Sequence, residues 1–139
     1  MEVLAGRVLL RPADSGRSRR FYRDVLGLAV FREYGDPVDP GVVFFIGGGY
    51  LEVAPAAPDG QPAAPAQVAL WLQVRDLAAE HRRLAAAGVE ILREPQREPW
   101  GLLEMWIADP DGVPIVLVQV PDDHPLRRDD RHRLSADRP

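Results

Sequence analysis

The chain has 139 residues, 46% hydrophobic and 27% charged, a balance that fits a soluble globular domain and excludes the disordered classes. A formal net charge of −4 argues against a nucleic-acid module, which normally turns a basic face to phosphates. The lack of cysteine excludes a disulfide framework, a thiolate nucleophile and a cysteine metal site, and no apolar run reaches membrane-spanning length. The first seven residues lack the apolar core of a signal peptide, so the expected location is cytoplasmic.

In chain order, residues 7–12 form a short β-prone run. Asp14 or Ser15 then offers an N-cap to a helix over 18–26, with Phe21, Val25 and Leu26 on one face and Gly27 as its C′ residue. Residues 29–33, 41–46 and 50–54 read as three successive antiparallel strands, giving a βαβββ unit. The connector at 55–66 carries Pro55, Pro58, Pro62 and Pro65 and can hold neither a ladder nor a helix.

The pattern then restarts. Residues 68–74 form a strand, Asp76 caps a helix with Leu77 and Leu84 on one face, and Gly88 ends it. Three further strands follow from residue 89. The last two, at 102–108 and 115–120, are joined by Asp109-Pro110-Asp111-Gly112, with proline early and glycine late as a tight turn requires. Alternation sends Leu103, Met105 and Ile107 to a core face, and Leu102, Glu104, Trp106 and Ala108 to the opposite, working face.

Equivalent points in the two units, such as Arg7 and Ala69, Gly27 and Gly88, or Glu52 and Val116, lie about 62 residues apart, which marks an internal duplication. The expected fold is α+β, with two tandem βαβββ modules building a curved sheet or partial barrel around a central cleft. One domain spans 1–121, with module one at about 1–54 and module two at about 67–121, and a charged tail covers 122–139. In that tail, Leu126 beside His124 is the expected point of docking; His124 reads first as solvent-exposed, at a place where a returning tail could lid the cleft.

The duplicated unit, the Phe-Tyr-Arg-Asp-Val-Leu-Gly-Leu run at 21–28, the Val-Arg-Asp-Leu run at 74–77 and the turn at 109–112 together resemble the vicinal oxygen chelate superfamily. This is the glyoxalase, bleomycin-resistance and dioxygenase group. The resemblance covers residues 7–121 and implies the fold, but that fold hosts lyases, epimerases, dioxygenases and drug binders, so activity has to be argued from the site. It also implies four metal-ligand positions, which fall here on Arg7, Glu52, Ala69 and Val116. Only Glu52 offers a donor to a divalent ion, so no metal and no other cofactor is expected.

Glu52 and Arg7 are the candidate catalytic pair. They are read either as a charge pair that makes burial tolerable, or as a base or ligand anchor beside an oxyanion-holding arginine. Tyr50, Trp71, Trp100 and Trp106 offer flat faces to a ligand, and Glu104 offers negative charge. Trp71, between Leu70 and Leu72, reads first as core, whereas Trp100 lies in a Pro-Trp-Gly loop of the kind that overhangs the ligand groove in metal-free members. The leading functional reading is a metal-independent binder of a small organic molecule resembling an antibiotic or secondary metabolite. The alternative is a metal-free isomerase, lyase or cyclase in which Glu52 transfers a proton, and a metal-dependent lyase or dioxygenase is disfavoured. A homodimer is expected, because members of the superfamily commonly complete their clefts between chains.

Overall fold

A computed structural model describes residues 1–2, 5–56 and 68–125 of the chain. Most of the connector, and the tail from Leu126 onward, lie outside the described residues. Module one contains β1 (Val8–Leu10), α1 (Ser15–Arg20), a π-helical turn (Phe21–Val25), β2 (Val30–Tyr34), β3 (Gly41–Ile46) and β4 (Gly49–Val53). Module two contains β5 (Leu70–Gln73), α2 (Leu77–Ala86), β6 (Ile91–Arg97), β7 (Leu103–Ala108) and β8 (Pro114–Gln119). Each module folds into one four-stranded sheet, ordered β1-β4-β3-β2 and β5-β8-β7-β6. The first strand of each sheet runs parallel to the last and the other neighbours are antiparallel. The fold is α+β with two βαβββ modules.

The duplication extends to register. Leu9 pairs with Glu52 in module one and Trp71 pairs with Val116 in module two, so Arg7 and Ala69, each two residues earlier, occupy equivalent places.

Alternation decides which side of each strand meets the core. Val42, Phe44, Leu51 and Val53 from the first sheet join Leu70, Met105, Ile107, Ile115 and Leu117 from the second in one apolar cluster. Phe21 and Tyr22 from the first helix and Leu77 and Leu84 from α2 complete it. Because the helices and both inner sheet faces share this core, neither module buries its apolar face alone. A smaller cluster of Leu102, Val116, Val118 and Val120, with Trp106 packed on it, lies on the outer side of the second sheet.

The first helix departs from its expected course. Asp14 caps it by accepting from the Arg17 amide, but at Phe21 the backbone widens, and Leu26 N bonds Phe21 O at 2.8 Å, a five-residue step. Adjacent Phe21 and Tyr22, at the start of this turn, both point inward. Tyr22 is fully buried, and its hydroxyl donates to Asp109 Oδ2 at 2.8 Å across the module boundary. Burial, with the negative charge of Asp109 beside it, pushes the phenol far above its ordinary range. Asp109 also accepts from the amides of Asp111 and Val113, while Asp111 accepts from Ser18 and Arg17. The 109–112 turn, expected to be a turn alone, is thus also the seat of the first helix. Among the described residues, no helix is long and apolar enough to cross a membrane.

Candidate functional site

The side chains that point away from the shared core form the candidate site. On module one, Glu52 leaves β4 on the outer side while its neighbours Leu51 and Val53 fill the core. Arg7 Nη1 lies 2.8 Å from Glu52 Oε2, and the Tyr34 hydroxyl donates to Glu52 Oε1. Tyr34 reaches that carboxylate because β3 has glycine opposite it, at Gly41, where a Cβ would collide with the phenol ring. The bond to Glu52 is the main cause that raises the Tyr34 phenol above its ordinary range, and partial desolvation adds to it. The Arg32 guanidinium sits 5.5 Å from the Tyr34 ring centre, so the group carries a carboxylate, a phenol and two guanidinium groups.

Beside it lies an open aromatic surface. Phe31, Phe45 and Tyr50 meet pairwise, with ring centres 4.9 to 5.6 Å apart. Phe31 is 50% and Phe45 40% exposed, and Leu9 on the adjoining strand is 45% exposed. Such a contiguous exposed apolar surface on a small chain is a mark of binding. Tyr50 was named from sequence, whereas Phe31, Phe45 and Tyr34 were not. The strand that carries Phe31 and Tyr34 shows no burial alternation and shifts register between Val30 and Arg32, so period-two reasoning could not place them.

Module two presents a different outer surface. Trp71 is 51% exposed, which corrects its first reading as core: Leu70 and Leu72 take the inward positions and leave the indole outside. Trp106 packs on the small valine cluster. Glu104 is only 7% exposed, because the Trp100 indole folds back over it and donates from Nε1 to Oε1 at 2.8 Å. The turn at 98–101 makes this possible: Gly101 N bonds Glu98 O at 2.9 Å, and Gly101 adopts a φ of 90°. His124 lies 2.9 Å from the Trp100 carbonyl through Nε2, so the start of the tail braces the same turn. Arg93 pairs closely with Glu98 and sits 3.7 Å from Glu104. The Glu98-Pro-Trp-Gly101 segment followed by Glu104 was singled out from sequence, whereas Arg93 was not, and β6 shifts register on either side of it.

The sequence candidates therefore fall into two groups. Arg7, Glu52 and Tyr50 gather on module one, while Trp100, Glu104 and Trp106 gather on module two. Among the described residues no hydrogen bond or ion pair joins the Glu52 group to the Glu104 group. A cavity of about 430 Å³ lies between the modules, lined by Phe45 and the Gly47-Gly48 turn on one side and by Trp71, Gln73 and Arg83 on the other.

The four positions implied for a metal do not suit one. Arg7 is cationic, Ala69 and Val116 carry no donor, and both oxygens of Glu52 already accept from Arg7 and Tyr34. Among the described residues there is no group of three or more His, Asp or Glu side chains placed to hold a metal ion.

A duplicated βαβββ chain whose two four-stranded sheets share one core defines a glyoxalase-like fold. The model of the Glyoxalase/Bleomycin resistance protein/Dioxygenase superfamily matches residues 5–117, and the chain belongs to that family. Solved structures agree on the fold. A superfamily member from Sphaerobacter thermophilus is 23% identical with a TM-score of 0.67, the match covering 86% of this chain and 99% of that one. TnmS3, an antibiotic binding protein from Streptomyces sp. CB03234, is 21% identical with a TM-score of 0.67, covering 86% of this chain and 100% of that one. A lactoylglutathione lyase from Agrobacterium tumefaciens is 23% identical with a TM-score of 0.63, covering 86% of this chain and 96% of that one. No curated protein matches the chain by sequence.

Proposed function

We propose that the chain binds a small planar organic molecule, of antibiotic or secondary-metabolite type, without a metal ion. The observation that carries this reading is the exposed Phe31, Phe45 and Tyr50 surface lying on the same module as the Arg7, Glu52 and Tyr34 group. Aromatic faces supply stacking area, and the polar group supplies a carboxylate acceptor and a guanidinium donor that fix orientation. The donor-poor set at Arg7, Ala69 and Val116 supports metal independence. The likeness to an antibiotic binding protein supports the ligand class.

A second reading is supported by the direct Tyr34 to Glu52 hydrogen bond. In a metal-free enzyme of isomerase, lyase or cyclase type, Glu52 would take a substrate proton while Arg7 faces the oxygen on which negative charge develops.

The active form in this proposal is a cytoplasmic homodimer, in which a second copy covers outer faces that leave Leu9, Phe31, Phe45 and Trp71 exposed. Sedimentation at micromolar concentration should give twice the chain mass, and a monomer would reject the dimer.

The binding reading is tested by a thermal-shift screen of polyketide, phenolic and glycopeptide compounds. A ligand present at about 100 times its Kd stabilises the fold by about 2.7 kcal/mol. A hit whose shift is abolished by Phe45→Ala or Trp71→Ala supports the cleft, and a hit indifferent to both overturns it. Turnover of a hit, followed by chromatography, would favour the enzyme.

A further inference from the structure

A second cavity, of about 550 Å³, opens on the helical side of module two, between the first turns of α2 and the irregular edge strand β6. Its volume lies in the range of small-molecule sites. The lining divides into an apolar part and a polar rim. Leu77, Ala78, Pro95 and Leu103 supply the apolar part. Arg82 from α2 and Arg97 from β6 stand on the rim, and neither side chain makes an ion pair or hydrogen bond with any described residue. Elsewhere in the lining, His81 Nε2 lies 2.6 Å from Glu94 Oε2 and ties the helix to the strand. Gln119 gives its side-chain oxygen to the Leu77 amide, which leaves its side-chain NH₂ as a further donor in the lining.

At this cavity two guanidinium groups have no acidic partner among the described residues. They come from separate elements and meet at one cavity, with an apolar surface beneath them. Guanidinium forks match planar carboxylates with paired hydrogen bonds. The apolar surface adds affinity for a hydrocarbon or aromatic body and disfavours a bare inorganic anion, which could not use it. We propose that this cavity is a second small-molecule site, for an organic carboxylate with an apolar body, separate from the outer-face cleft.

The test uses the full chain labelled with ¹⁵N and two probe pairs: 2-naphthoate against 2-naphthamide, and octanoate against octanamide. At least one carboxylate should move the amide signals of Ala78, His81, Arg82, Gln96 and Arg97 in a saturable way. In the Arg82→Gln/Arg97→Gln variant its affinity should fall about tenfold or more, as expected for the loss of a charge-assisted hydrogen bond, while the matched amide binds as before. Both arginines are exposed, so the variant should melt at the wild-type temperature. Equal affinities for acid and amide, shifts centred on Phe45 and Trp71, or no saturable shift from either carboxylate at millimolar concentration would each overturn the site.

Discussion

Glu52→Gln is expected to weaken ligand binding far more than it weakens the fold. The wild-type carboxylate accepts from Arg7 through one oxygen and from Tyr34 through the other. The Arg7 side chain is 42% exposed and that of Glu52 14%, so the ion pair is largely screened and falls in the range of about 0.2 to 1 kcal/mol. The neutral amide can keep its oxygen toward Arg7 and turn its NH₂ toward the Tyr34 oxygen, which then accepts. The loss to the fold should stay below about 1 kcal/mol, or about 3 °C in Tm. A ligand donor that faces the carboxylate loses a charge-assisted hydrogen bond, about 1.5 to 3 kcal/mol, which raises Kd by about ten- to a hundredfold. Calorimetric titration with a screening hit and a urea melt on one preparation measure both quantities. Ultraviolet titration gives a third: with the carboxylate gone, the Tyr34 phenol should ionise at lower pH, back toward 10.0. A large fall in Tm with unchanged affinity would make Glu52 a scaffold residue, and unchanged affinity together with an unchanged phenol titration would refute the geometry.

Tyr22→Phe should cost about 1.5 to 3 kcal/mol, because it strips a buried, fully enclosed hydroxyl from the Asp109 carboxylate and leaves Oδ2 without its donor. A Tm within 1 °C of wild type, read as about no change on the expected scale of several degrees, would contradict that. Asp39 accepts from Ser15, Arg19 and the Ala56 amide, with the Ser15 bond the largest cause, and its carboxyl is held down to about 2 from 3.8. The stability it lends is complete above 3.8 and is lost as pH falls toward 2. Asp39→Asn should therefore be less stable than wild type at pH 7, with a gap in urea midpoint that narrows between those two values; a gap constant across them would rule the linkage out. Elemental analysis of purified protein should find no stoichiometric divalent ion, and near-equimolar zinc, iron, nickel or manganese resistant to mild chelation would reverse the functional order.

The scaffold was legible because its signals are local. Gly27 and Gly88 end the two helices with φ of 75° and 74°, Asp14 and Asp76 cap their starts, and alternation correctly separated Met105 and Ile107 from Glu104 and Trp106. The site was legible only in part, because its missing members sit where periodicity breaks. Tyr22 lies at the start of a π turn, and Phe31, Tyr34 and Arg93 lie on strands that shift register. Trp71 misled for another reason: flanking leucines suggest a buried run, but in a strand they define the opposite face.

The two modules repeat a backbone but not a surface. Where module one places Glu52, with Arg7 and Tyr34 around it, module two places Val116 in a closed patch with Val118 and Leu102. Where module one leaves Phe31 and Phe45 open, module two folds Trp100 over Glu104 and satisfies the buried carboxylate internally. The acidic groups of both modules have partners, Glu52 in Arg7 and Tyr34, Glu98 in Arg93 and Glu104 in the Trp100 indole, and the Arg7 side chain beside Glu52 is 42% exposed. In the proposed binding mode, discrimination between ligands is assigned to module one, and module two contributes a wall on which Trp71 is the exposed ring at the inter-module cavity. On this division, changes at Glu52 and Arg7 should alter which compounds bind, while changes at Trp71 should lower affinity for all of them by a similar factor.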